Sequence, residues 1–143
     1  RSLVAEKLGR IDIMERDLGK ILEFEPNNVE ALNALGYSLT NLTDRHSEAL
    51  IFIEKAFNLM PDSYHILDSM GWVYFKLGRL DESMKYLRQA YSLFRDPEIA
   101  AHLIEVFWAR GMKKEATGLL ENAIKEFPGD ENLEVLTERI YSK

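Results

Sequence analysis

Self-similarity at a spacing near 34 residues constrains this chain more than any other feature. Ala49, Ser83 and Ala116 lie 34 and 33 positions apart, and Ala56, Ala90 and Ala123 repeat the same steps. Gly78 and Gly111 are 33 apart, Pro26 and Pro61 are 35 apart, and Pro128 follows Pro61 by 67. Leu35-Gly36 stands 35 before Met70-Gly71, and Leu103 stands 33 after Met70. A chain built this way has no single central core: each unit buries its apolar face on its neighbours, and the fold is a stack. The central unit, Tyr64 to Phe94, shows what is stacked. Leu67, Met70, Tyr74 and Leu77 recur along one helix face, Gly78 interrupts, and Leu80, Met84, Leu87, Tyr91 and Leu93 supply a second apolar set. The spacing predicts two antiparallel helices joined by a tight glycine turn. Gly71, Ser83 and Ala90 fall where the helix axes approach most closely, so a large side chain there would push the pair apart.

A two-helix unit with this period and this skeleton (Leu67, Met70-Gly71, Tyr74, Gly78, Ser83, Leu87, Ala90) resembles the tetratricopeptide repeat, and the resemblance covers essentially the whole chain. It implies an all-α, right-handed solenoid of antiparallel helix pairs. The register divides the chain into a partial repeat at 1–28, whole repeats at 29–63, 64–96 and 97–130, and a final helix at 131–143.

In the partial repeat, Gly9 takes the place of Gly78, with a truncated helix from Ser2 to Leu8 before it and a complete one from Asp12 to Phe24 after it. Met14, Leu18 and Ile21 then correspond to Ser83, Leu87 and Ala90. A helix cut short at its start implies a fragment of a longer protein, with apolar surface left at that end. In the first whole repeat, Asn27 is expected as N-cap, with Glu30 completing a capping box. Leu32, Leu35 and Leu39, then Ala49, Ile53 and Ala56, mark its two inner faces. The turn Asn41 to Arg45 lacks a glycine, and Pro61 ends the unit. Asp62 or Ser63 caps the central repeat. Asp96-Pro97 opens the third, with aspartate as cap and proline in the first turn. There Ala100, Leu103 and Phe107, then Ala116, Leu120 and Ala123, face inward. Ile104 replaces the glycine seen at 36 and 71, which predicts a looser helix pair. From Asp130 to Ser142, Leu133, Leu136 and Ile140 make one narrow apolar stripe, read as a C-terminal capping helix of the solenoid in preference to the start of a further repeat.

Composition sets outer limits. The 143 residues are 46% hydrophobic, enough for a packed protein, and no apolar run approaches the roughly 18 residues of a membrane span. A net charge of -6 with a pI near 5.1 speaks against sequence-independent nucleic-acid binding. There is no cysteine, which excludes disulfides, thiol nucleophiles and thiolate metal sites. No catalytic triad spacing, phosphate loop or nucleotide fingerprint occurs, so no enzyme activity and no cofactor are expected. His46 is placed in a turn. His65 and His102 lie on different repeats, without the spacing of a metal site, and read as polar lining.

The resemblance places the first helix of each pair on the concave side, where tetratricopeptide repeats commonly hold a peptide or a partner helix. The register offers Asn33, Tyr37, Thr40 and Asn41 from the first repeat, and His65, Asp68, Ser69, Trp72, Phe75 and Lys76 from the second. The third offers Ala101, His102, Glu105, Trp108 and Ala109. Tyr37 and Trp72 occupy equivalent positions, as do Phe75 and Trp108. Each pair has two readings: anchors for apolar side chains of a ligand, favoured for Tyr37 and Trp72, or packing between neighbouring first helices, favoured for Phe75 and Trp108. The carboxylate clamp by which some members of the family bind chaperone tails needs basic residues. Asn33, Tyr37, His65, Asp68, Trp72 and Glu98 stand at those places, so that ligand is not expected.

The expected role is therefore a protein-interaction scaffold or adaptor. The alternative is a structural module that pairs through its exposed ends, self-association through the truncated N-terminal repeat included. The wording of the repeats, through DPEIAAHLIEVFWARG, further resembles the C-terminal repeats of large proteobacterial tetratricopeptide lipoproteins. Those are attached to the outer membrane and face the periplasm, and some act as adaptors for a carboxyl-terminal processing protease. That resemblance implies a periplasmic, membrane-attached parent protein, with the cytoplasm as the alternative.

Overall fold

Glycines turn the central helix pairs. Gly78 and Gly111 take positive φ of 81° and 86°, the left-handed region that ends a helix and reverses the chain within a few residues. The computed structural model describes residues 3–142, and in them eight helices and no strand. In order they are α1 (Leu3–Phe24), α2 (Val29–Leu42), α3 (His46–Leu59), α4 (Tyr64–Lys76), α5 (Leu80–Leu93), α6 (Pro97–Ala109), α7 (Lys113–Glu126) and α8 (Glu131–Tyr141). Successive helices pack as pairs. In addition α2, α4, α6 and α8 touch one another in sequence, forming the inner layer of a solenoid.

The core is divided, as stacking requires. One apolar cluster joins α2, α3 and α4, with Leu18 and Leu22 of α1 against it. A second runs through α5, α6, α7 and α8. Leu67, Ala90 and Ile99 form a small bridge between them. The predicted close approaches are present. A Cβ on Gly71 would overlap Leu87 Cγ and lie 3.1 Å from the Ser83 carbonyl oxygen; on Gly36 it would overlap Ile53 Cγ1 and lie 3.1 Å from the Ala49 carbonyl oxygen. The Ser83 hydroxyl donates to the Gly71 carbonyl at 2.6 Å, pinning α5 to α4. Ile104 is fully buried, and the α6–α7 pair approaches less extensively than the two pairs before it.

Capping follows the sequence at α6 and in the cap position of α4, and departs from it at α2. Asp96 accepts from the backbone N–H groups of Glu98 and Ile99, with Pro97 in the first turn, and Asp130 caps α8 through Leu133 N–H. Asn28, not Asn27, caps α2, accepting from Ala31 N–H at 2.9 Å. A turn from Glu25 to Asn28 moves the helix start by one residue, which puts Glu30 too early to close a capping box. Ser63 holds the cap position of α4 without a side-chain bond, and His46 is the first residue of α3 rather than part of a turn.

The N-terminal segment differs most. No turn interrupts it at Gly9: α1 is one helix of 22 residues. A stub of seven residues offers too little face to repay a reversal, whereas continuing the helix keeps its backbone groups hydrogen-bonded. Arg1 and Ser2 of the partial repeat, and Lys143 of the last segment, lie outside the described residues. The buried stripe also shifts. Ile11 is buried and Leu18 and Leu22 pack on α2, while Ile21 is exposed. Arg45 ties α1 to α3, reaching Glu15 at 2.7 and 2.9 Å and Glu48 at 2.7 and 2.8 Å. Among the described residues no helix is long and apolar enough to cross a membrane.

Candidate partner-binding face

The inner layer brings most of the expected residues to one face, but at different depths. Asn41, His65, Lys76 and Ala109 are exposed, and Asn33, Tyr37, Phe75, Glu105 and Trp108 are half-buried. Thr40, Asp68, Ser69, Trp72, Ala101 and His102 are buried. Thr40 and Ser69 turn back onto the carbonyls of Gly36 and His65 one turn earlier, at 2.8 and 3.1 Å, so their hydroxyls satisfy their own helices.

Trp72 is the largest departure. It is only 6% exposed. Its ring lies parallel to His102 at 3.9 Å and to Phe75 at 4.8 Å, and its indole N–H donates to Asn41 Oδ1 at 2.8 Å. Beneath it, His102 Nδ1 and Asp68 Oδ1 are 2.8 Å apart, both side chains buried, with the ring N–H donating to the carboxylate. The polar lining expected of His102 is thus a structural pair tying α4 to α6. Its signal was available: residues about one repeat apart on successive first helices face each other, and Asp68 and His102 are separated by 34. Trp72 is an internal plate between repeats because the first helices pack directly on one another. Phe75 and Trp108 pack half-buried against the C-terminal core. The Lys76 ammonium lies 5.0 Å from the Trp72 ring and 5.9 Å from Phe75, which occupies that cation.

Two of the open concavities on this face share Tyr37 and Glu98. One, of about 280 Å³, is lined by Tyr37, Asn41, Trp72, Glu98, Glu105 and Arg139, with Leu136 and Val135 of α8 closing its far wall. The other, of about 340 Å³, is lined by Asn33, Tyr37, His65, Asp68, Ser69 and Glu98. They meet at one bridge: the Tyr37 hydroxyl on α2 donates to Glu98 Oε2 on α6 at 2.9 Å, passing over α4. Burial above all, and then the charges of Glu98 and Asp68, hold the Tyr37 phenol well above the ordinary tyrosine range, with Asn41 pulling the other way. It is a hydrogen-bond donor at neutral pH. Arg139 of α8 pairs with Glu105. Sequence reasoning assigned Glu98 only a comparison with the clamp and gave α8 no part in this face. The bridge joins residues two repeats apart, a relation invisible to a pattern that compares neighbours. Among the described residues no group of three His, Cys, Asp or Glu side chains is placed to hold a metal ion.

Comparison with known proteins supports the repeat reading. A tetratricopeptide-repeat family model matches residues 64–97. A TPR repeat-containing protein of Pseudomonas aeruginosa is 49% identical over 105 residues, which is 73% of this chain and 18% of that protein. The chain thus spans under a fifth of the length of that relative. A thermophilic TPR protein of Thermus thermophilus superposes with a TM-score of 0.83 at 24% identity, over 96% of this chain and 76% of that one. A crystal structure of MamA gives a TM-score of 0.74 at 22% identity, over 97% and 85%. At these identities the solved structures speak for the fold. Helix pairs, turn glycines, small-residue contacts and relatives agree, and the chain belongs to the tetratricopeptide-repeat family.

Proposed function

We propose that this chain is a protein-interaction module whose ligand, a peptide or a helix of another protein, lies on the inner layer across the Tyr37–Glu98 bridge. The observation that carries this reading is the pair of open concavities meeting at a half-buried tyrosine on the inner layer. Tyrosine with an apolar ring and a polar tip is a favoured interface anchor. A photo-cross-linking residue tests it. Placed at His65, exposed on the inner layer, it should yield a discrete adduct in a bacterial envelope extract. Placed at Ile51, exposed on α3, it should not. Adducts from position 51 alone would move the ligand to the outer layer.

The finer form of this reading is an adaptor in an outer-membrane lipoprotein that serves a periplasmic protease, and its support is the wording of the repeats. A second reading has its own support: Leu8, Ile13, Ile21 and Phe24 of α1 are all exposed. Apolar side chains collected on one terminal helix suit pairing with a second chain. In that case, mass measured by light scattering should rise with concentration, and Ile13→Lys with Phe24→Lys should hold it at the monomer value. A monomeric mass at all concentrations would end this reading.

A further inference from the structure

The inner layer offers more acceptors than its own donors satisfy. Its basic side chains are already engaged: Arg139 with Glu105, Lys76 over Trp72 and Phe75, and the His102 ring with Asp68. Glu98 lines both concavities, is exposed, and receives only the neutral hydroxyl of Tyr37; no cation of the described residues pairs with it. Close by, in the second concavity, Asn33 Oδ1 is shielded from solvent and accepts no hydrogen bond. A carboxylate and an orphan acceptor bordering the same cleft call for donors from outside, positively charged ones above all. The walls suit the stem of such a side chain. The ring of Tyr37, Ala101, and Leu136 with Val135 of α8 line the smaller concavity as apolar surface, along which the methylenes of a long cationic side chain can lie.

We infer that this face selects a protein segment carrying a lysine or arginine, whose cation reaches Glu98 and displaces or shares the Tyr37 hydroxyl there. The inference rests on the proposed inner-layer site and names the chemistry of its partner, which is opposite in charge to an acidic chain end. The Tyr37–Glu98 bond then acts as a place-holder: it satisfies the carboxylate while the cleft is empty, and a charged donor makes the stronger bond when it arrives.

A random dodecapeptide display library selected on the wild-type chain tests this. Selected peptides are then measured against Glu98→Gln, a change at an exposed side chain that keeps the shape and removes the charge. The Trp72 indole N–H resonance, which reports on the bond to Asn41 in the cleft wall, shows whether a peptide sits on the inner layer. The expected result is enrichment of lysine and arginine, a shift of that resonance, and binding about three- to tenfold weaker to Glu98→Gln, with the difference shrinking in high salt. Peptides that move the Trp72 resonance but lack cations, or bind Glu98→Gln equally well, would overturn the charge inference and leave the inner-layer site standing. Selection that yields no peptide, or only peptides that leave the Trp72 resonance unmoved, would overturn both.

Discussion

Gly71→Val should cost the fold about 3 kcal/mol or more and lower the thermal midpoint by roughly 10 °C. The Gly71 position has no room. A Cβ there would collide with Leu87 Cγ, lie 2.7 Å from Leu87 Cδ2, and lie 3.1 Å from the Ser83 carbonyl oxygen. Leu87 is itself fully buried and cannot swing away without breaking its own packing, and the backbone oxygen belongs to α5. The strain is therefore relieved only by moving α5 off α4, which also breaks the bond from the Ser83 hydroxyl to the Gly71 carbonyl. Gly118→Ala is the control with the opposite sign. Gly118 lies in α7, is exposed, and has nothing within 4 Å of an added Cβ. Alanine there should stabilise by about 0.5–1 kcal/mol, through helix propensity and a less flexible unfolded chain. Urea unfolding followed by circular dichroism reads both. Equal and small effects would mean that the helix pair spreads at little cost, and that Gly71 is not a steric requirement.

These two glycines also show what the sequence could and could not express. The period exposes Gly71 because the close approach between paired helices recurs in the first two whole repeats, so Gly36 and Gly71 mark each other. Turn glycines recur likewise, and Gly78 and Gly111 both take positive φ. Gly9 fits the same arithmetic and fails, because a turn needs a second helix to pack against as well as a glycine. Asn28 takes the cap from Asn27 because a one-residue turn shift leaves no trace in composition. The candidate face was legible by element and not by depth. Register placed Tyr37, Trp72, Asp68 and His102 on first helices. Which side chains stay open depends on how far successive first helices rotate toward one another, and that angle is set by side-chain volumes along the whole inner layer. Hence Tyr37 and Trp72, equivalent by register, part company: one bridges to Glu98 at the surface and the other is closed in by His102 and Phe75.

Trp72→Ala should destabilise the chain by about 3–5 kcal/mol, more than any substitution at the surface of the inner layer. The indole is nearly closed off from solvent, so its removal leaves a cavity rather than an exposed gap. It also takes away the stack on His102 and the N–H that reaches Asn41. The cost extends below the ring. With the plate gone, water reaches the buried Asp68–His102 pair, and the tie between α4 and α6 weakens at the centre of the solenoid. Trp72→Phe separates these contributions: it keeps a smaller aromatic plate while losing the donor and part of the ring area, so it should cost about 1–2 kcal/mol. Tyr37→Phe removes one hydrogen bond at an exposed carboxylate and should cost under about 1 kcal/mol. Denaturant midpoints for the three variants check this order. If Trp72→Ala unfolds at nearly the wild-type midpoint, the indole is an anchor held out for a ligand, and the interior role argued for it is wrong. If the order holds, loss of binding on Trp72→Ala says nothing about contact. Tyr37 and Glu98, which can change while the repeats stay packed, are then the positions at which binding by the inner layer is read.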